Sequence, residues 1–246
     1  MEKKNSFHPV IGRIFRAFVC AFIYICFRPS VRYRDKEKIK SLKDKPVIFI
    51  FNHTSYYDGV LASVITRKFR PYTVVAKDWY DKKGINFFIR LNRSIPIDRK
   101  NPDAEWFLTA EKMIKLGHSV CIFPQGSISR GGETKPYHPG FAMLAMSTGA
   151  PVVPVAIGEK YRIIFGKRQK ILFGEPVYCA VPENTRRSTA ARQISGQMQA
   201  RTEKLLCEIK NIEYKGDNSH DQTGNSGENQ IDARREPSYT ARGTRL

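Results

Sequence analysis

Residues 46–51 form an uninterrupted apolar run, Pro46-Val47-Ile48-Phe49-Ile50-Phe51, that stops at Asn52-His53. A short apolar run with polar residues at its end reads as a fully buried strand. Asp58 follows, and then a second apolar run over residues 60–65 reads as the body of a helix. A histidine therefore stands at the exit of a core strand, and a carboxylate stands near the start of the next helix. Strand exits in α/β sheets are where sites are commonly built. The spacing constrains how the two can meet. Five residues subtend about 140° on a continuous helix, so they face each other only if His53 lies in the turn and Asp58 in the first helical turn. Asp58 could then accept a hydrogen bond from one imidazole nitrogen, which sets the tautomer and makes the other nitrogen a better base. A helix-capping aspartate beside an unrelated histidine has the same spacing, so the rest of the chain must decide.

The remaining pattern alternates strands with helices. Residues 72–76 read as a second strand, 84–90 as an aromatic-rich helix, and 94–99 as an extended piece ending in Asp98-Arg99. Asn101-Pro102-Asp103 is a helix start signal. Trp106, Phe107, Ala110, Met113, Ile114 and Leu116 then give an amphipathic helix that closes at Gly117. Residues 119–123 form another buried strand. It runs directly into residues 124–132, a loop with three glycines, two serines and Arg130, the ingredients of an anion-binding turn. No Gly-Lys-Ser/Thr follows, so this is not a Walker loop. A helix over 141–148, a core strand over 151–157, shorter strands near 161–165 and 170–173, and a closing helix over 189–209 complete the pattern. Such alternation implies a single α/β domain with a largely parallel sheet flanked by helices. His53-Asp58 and the 124–130 loop then both lie past the C-terminal ends of strands, where they can share one crevice.

The chain has 246 residues, enough for one large α/β domain, and an apolar content of 41% supports a proper core. The net charge of 42 − 23 = +19 calls for an anionic partner: nucleic acid, an anionic bilayer or an acidic substrate. The five cysteines are scattered and no pair has metal-ligand spacing, which points to reduced thiols. His8, His118, His138 and His220 also show no ligand pattern, so no metal is expected. Residues 1–45 are basic and partly very apolar. Residues 17–27 carry no charge and are flanked by Arg13, Arg16 and Arg28. The run is shorter than the roughly 20 residues needed to span a bilayer, and no small-residue cleavage site follows it. It reads as a helix lying in one leaflet with its arginines at headgroup level, or alternatively as a buried core helix. Residues 32–45 add basic charge that anionic lipid attracts, or form a solvated basic hairpin. From residue 215 the chain is polar and aperiodic, as in a disordered tail. The resulting division is 1–45 as a membrane-associating segment, 46–214 as the α/β domain, and 215–246 as the tail.

Four blocks in order resemble the glycerolipid acyltransferases, the 1-acylglycerol-3-phosphate acyltransferases and their relatives. They are the His-x4-Asp block at 52–58, a second block from Gly84 to Ile97-Asp98-Arg99, a third over 123–129, and Val153-Pro154-Val155. One such block is a weak signal, whereas four in order over roughly 47–157 are strong. Two residues depart from the family's third block, Phe-Pro-Glu-Gly-Thr-Arg-Ser: Gln125 stands for its Glu and Ile128 for its Arg. The resemblance implies transfer of a fatty acyl group from acyl-CoA or acyl carrier protein to the free hydroxyl of lysophosphatidic acid, giving phosphatidic acid. The donor is a substrate, and no cofactor is implied. His53 would be the general base and Asp58 its orienting partner. Arg99, Gln125, Gly126, Ser127 and Arg130 are the candidates for binding the acceptor, and Lys135 is a further cation. A serine acyl-enzyme through Ser55 or Ser127 is conceivable, but no Gly-x-Ser-x-Gly elbow is present. Membrane lipids, the lysophospholipid acceptor and the donor are the expected partners, with the protein peripheral or monotopic on the cytoplasmic face. The alternatives are another lysophospholipid or lipid acceptor or, in a different class, a non-catalytic basic protein that binds membrane or nucleic acid. No helix-turn-helix, RNA-recognition or zinc pattern supports a nucleic-acid partner.

Overall fold

A computed structural model describes residues 9–83, 86–99, 104–129, 135–158 and 168–211. In chain order the elements are α1 (Pro9–Cys26), β1 (Ser30–Tyr33), α2 (Lys36–Ser41), β2 (Ile48–Phe51), α3 (Asp58–Ile65), β3 (Tyr72–Ala76), α4 (Lys77–Tyr80), α5 (Asn86–Leu91), β4 (Ser94–Ile97), α6 (Glu105–Lys115), β5 (Val120–Ile122), α7 (Gly140–Thr148), β6 (Val152–Ile157), β7 (Lys170–Phe173) and α8 (Arg187–Lys210). The strands form one sheet in the order β1-β7-β6-β2-β5-β3-β4. Every pairing in it is parallel except β6 with β7. The α/β architecture expected from the alternating pattern is the one observed.

β2 occupies the middle of the sheet, hydrogen-bonded to β5 on one side and β6 on the other. All four of its residues are buried, which is why its sequence is continuously apolar rather than alternating. Successive side chains still point to opposite faces. Ile48 and Ile50 enter a core layer with Ile114, Phe141, Leu144 and Met198 from α6, α7 and α8. Phe49 and Phe51 enter the opposite layer with Leu61 of α3 and Phe173 of β7. Each flanking layer of helices thus packs on one side of the same strand, and the strand's exit is held from both faces.

The fold also takes in residues 30–45, which the sequence pattern placed with the N-terminal segment. Ser30–Tyr33 pair in register with Lys170–Phe173, and Asp35 caps α2 by accepting a hydrogen bond from the Lys38 backbone N–H at 2.9 Å. Ile39 and Leu42, three residues apart on that helix and the turn after it, are 4% exposed. Seven basic residues in this stretch conceal an apolar signal of only four positions, these two and the partly buried Val31 and Tyr33. The N-terminal helix is likewise divided. Ile23 and Phe27 are buried in the second core layer, while Ile14, Phe18 and Ile25 are 66%, 69% and 73% exposed. No helix among the described residues is long and apolar enough to cross a membrane. The strand expected near 161–165, the start signal at 101–103 and the tail from 215 lie outside the described residues.

If residues 30–45 are structural, Ile39→Ala should lower the unfolding free energy by about 2–5 kcal/mol, as expected for emptying a buried aliphatic site. Lys43→Ala, at an exposed neighbouring position, should stay within about 0.5 kcal/mol. Urea unfolding of the two variants measures the difference, and equal midpoints would return this stretch to the solvated-hairpin reading.

Candidate active site

Beyond Phe51 the chain leaves the sheet, and Asn52 secures the departure. Its side-chain Oδ1 accepts from the Ile157 N–H at 2.7 Å and its Nδ2 donates to the Ile157 carbonyl at 2.9 Å. The asparagine thereby continues the β2–β6 ladder by one side-chain step after the backbone has turned away. The next residue, His53, is consequently aimed outward from a fixed point. One face of its ring meets the Phe123 ring with centroids 4.7 Å apart, and Phe123 stacks in turn on Phe51 at 5.4 Å.

Asp58 opens α3 and is fully buried. Its Oδ2 lies 2.8 Å from His53 Nδ1 and accepts backbone N–H groups from Thr54 at 2.6 Å and Ser55 at 2.8 Å. Both sequence readings of this aspartate therefore hold together. It closes the turn ahead of a helix, at the end where negative charge is favoured, and it holds the histidine. With Nδ1 carrying the proton toward Asp58, Nε2 is the imidazole nitrogen left as acceptor. The His53 side chain is 21% exposed, enough for contact with a substrate.

The β5 exit supplies the second half of the site. Gln125 is 4% exposed. Its Oε1 accepts from the His53 backbone N–H at 2.7 Å and its Nε2 donates to Ser129 Oγ at 3.1 Å. Ser129 N–H donates to the His53 carbonyl at 2.9 Å. Gly126 turns at φ +67°, and a Cβ there would stand 3.2 Å from His138 Nε2. Only glycine adopts this backbone without strain. The Gly126 carbonyl accepts from Arg99 Nη1 at 3.3 Å, while Arg99 Nη2 pairs with Asp78 at 2.9 Å. Ser127 Oγ accepts from Lys135 Nζ at 2.7 Å.

Of the residues singled out from the sequence, His53 is bonded to Asp58 and Gln125, Arg99 to Gly126, and Ser127 to Lys135, around two strand exits. Arg130 lies outside the described residues. Gln125, expected to face an anion, is instead turned inward onto the His53 peptide. Neither Ser55 nor Ser127 is hydrogen-bonded to the His53 ring. Burial pushes the Cys121 and Cys179 thiols up to about 12, so neither is a nucleophile near neutrality. Among the described residues no group of three His, Cys, Asp or Glu side chains could hold a metal.

A model of the acyltransferase family matches residues 30–158. The chain belongs to that family. It is 27% identical over 198 residues to the 1-acyl-sn-glycerol-3-phosphate acyltransferase of Bacillus subtilis, a match covering 79% of this chain and 94% of that protein. It is 32% identical over 116 residues to the enzyme of the same name from Escherichia coli, covering 45% of this chain and 46% of that protein. The crystal structure of the 1-acyl-sn-glycerophosphate acyltransferase of Thermotoga maritima superposes with a TM-score of 0.57 at 23% identity, covering 83% of this chain and 82% of that one. At that identity the superposition establishes the shared fold. The family match begins at residue 30, where β1 enters the sheet, so an acyltransferase domain starting at residue 46 would omit an edge strand.

The acyltransferase site also contains groups that no spacing rule indicated. Phe123 lies against the His53 ring, Asn52 anchors its strand, Ser129 ties the two loops, and His138 lies against Gly126. The first three lie inside the recognised blocks at 52–58 and 123–129, and membership of those blocks was their only signal. His138 had none, because it reaches the site through a chain segment ahead of α7.

Gly126→Ala tests the loop geometry. A left-handed backbone costs a non-glycine residue about 1–2 kcal/mol, and the added methyl crowds His138. The variant should be less stable by at least that amount in thermal unfolding and should lose turnover. A variant as stable and active as the parent would show that the loop does not need the conformation seen at Gly126.

Proposed function

We propose that this acyltransferase moves a fatty acyl group from a thioester, on coenzyme A or acyl carrier protein, to the free hydroxyl of lysophosphatidic acid, giving phosphatidic acid. The observation that carries the mechanism is the 2.8 Å contact between His53 Nδ1 and a fully buried Asp58. It leaves Nε2 directed away from the carboxylate. The acceptor hydroxyl attacks the thioester carbonyl as Nε2 takes its proton. The tetrahedral intermediate collapses, the C–S bond breaks, and the imidazolium returns the proton to the departing thiolate. Asp58 stabilises that imidazolium and preserves the tautomer. No serine is needed as a covalent carrier. The names of the relatives support lysophosphatidic acid as the acceptor. Arg99, bonded to the Gly126 carbonyl, and Lys135, bonded to Ser127 Oγ, are the cations this reading assigns to its phosphate.

The acceptor and product are lipids, and α1 supplies a route to them. Its exposed Ile14, Phe18 and Ile25 suit insertion among headgroups on the cytoplasmic face, with Arg13 and Arg16 at the polar boundary. Ile23 and Phe27 meanwhile fasten the helix to the core. The same helix therefore serves both the protein interior and the bilayer.

Two measurements test this reading. The purified protein, given acyl-CoA or acyl carrier protein donors and a panel of lysophospholipids, should form phosphatidic acid, read by product mass. His53→Ala should abolish formation with the fold intact, and Asp58→Asn should cut kcat by roughly 10²–10⁴. A folded His53→Ala variant with near-normal turnover would remove the mechanism. For the membrane, replacing Ile14, Phe18 and Ile25 together with serine should release the protein from anionic vesicles in a high-salt flotation assay, since each large apolar side chain contributes about 1.5–3 kcal/mol when buried. Retention would place the anchor elsewhere. Deleting residues 1–27 is a poorer test, because it would also uncover the core contacts of Ile23 and Phe27.

A further inference from the structure

Gln125 is a buried polar side chain that links the two halves of the site without facing substrate. It receives the His53 N–H on Oε1 at 2.7 Å and spends one amide N–H on Ser129 Oγ at 3.1 Å. Ser129 closes the circuit by donating its own backbone N–H to the His53 carbonyl at 2.9 Å. Both backbone polar groups of His53, its N–H and its carbonyl, are thus held by the β5 loop, while its side chain is held by Asp58. A carboxylate of the same length could accept from the same two partners, the His53 N–H and the Ser129 hydroxyl. What distinguishes glutamine here is its lack of charge.

We propose that Gln125 is a positioning residue for acyl transfer: its neutral amide fixes the His53 backbone between the β2 and β5 loops while adding no second negative charge beside the His53–Asp58 pair. This rests on His53 being the general base. An additional buried anion at residue 125 would favour the imidazolium and hold the imidazole protonated to higher pH. The base form is the neutral one, so the acid limb of the rate profile would move upward in pH. The charged groups on surrounding elements are Asp58 at the start of α3, Asp78 on α4 with its partner Arg99 beyond β4, and Lys135 against Ser127. His138, titratable, lies against Gly126. Among the described residues, Asp58 is the carboxylate in contact with the ring.

Two variants separate the clamp from the charge. Gln125→Met keeps the length and removes both hydrogen bonds. It should lower kcat by roughly ten- to a hundred-fold, the scale of a displaced catalytic group, with the pH profile of the residual activity unmoved. Gln125→Glu keeps the acceptors and adds the charge. It should approach wild-type kcat at alkaline pH, with the acid limb displaced upward by about one pH unit. The His53 titration is also read without substrate, by NMR of isotope-labelled histidine in the full chain, with His53→Ala assigning the resonance among five histidines. In Gln125→Glu that titration should move upward by the same amount. An unmoved imidazole titration, or full kcat in Gln125→Met, overturns the proposal. If the titration moves but His53→Ala leaves turnover intact, the role of His53 as base fails instead.

Discussion

A carboxylate with no solvent exposure is costly to bury unless its oxygens are fully engaged, and the site depends on how Asp58 meets that demand. One oxygen collects the Thr54 and Ser55 N–H groups and the His53 imidazole. These donors come from a single five-residue turn, so the charge shapes the turn while the turn stabilises the charge. The start of α3 adds a favourable field at the same point. The orientation of His53 is therefore part of the solution to burying Asp58, and needs no separate device.

That solution is stable because the turn leaves from a strand supported on every side. β2 is paired on both edges and packed on both faces. Asn52 extends its grip one residue past the last backbone pairing. Since β2 and β5 are parallel neighbours, their exits lie side by side, which brings Gln125 within hydrogen-bonding distance of His53 across 72 residues of chain. A substitution that looks like a departure from the family's third block thus retains a contact that a buried glutamate could also make, and changes only its charge.

The N-terminal helix shows how one element can satisfy two environments. Its inward positions complete the core layer around Phe49 and Phe51, and its outward positions leave large apolar side chains in the open. Aromatic contacts reinforce the inward side, with Phe27, just past the helix, against Tyr57 of the His53–Asp58 turn at 5.5 Å. The segment that carries these exposed apolar side chains therefore also buttresses the turn ahead of Asp58.

The sequence by itself determined the α/β alternation, the buried strand at β2 and the closing helix α8, because each is written as a run or period long enough to outweigh local noise. It also singled out His53 and Asp58, because they stand at a strand exit in the first of four ordered blocks, whereas their spacing alone fits a plain helix cap as well. Other features were decided by the tertiary structure alone. Residues 30–45 carry so much charge that the burial of Ile39 and Leu42 is visible only once β1 pairs with β7. The inward turn of Gln125, the Phe123 ring on His53 and the placement of His138 beside Gly126 all depend on which strand exits are neighbours. Strand order is a property of the whole sheet, and no local stretch of residues encodes it.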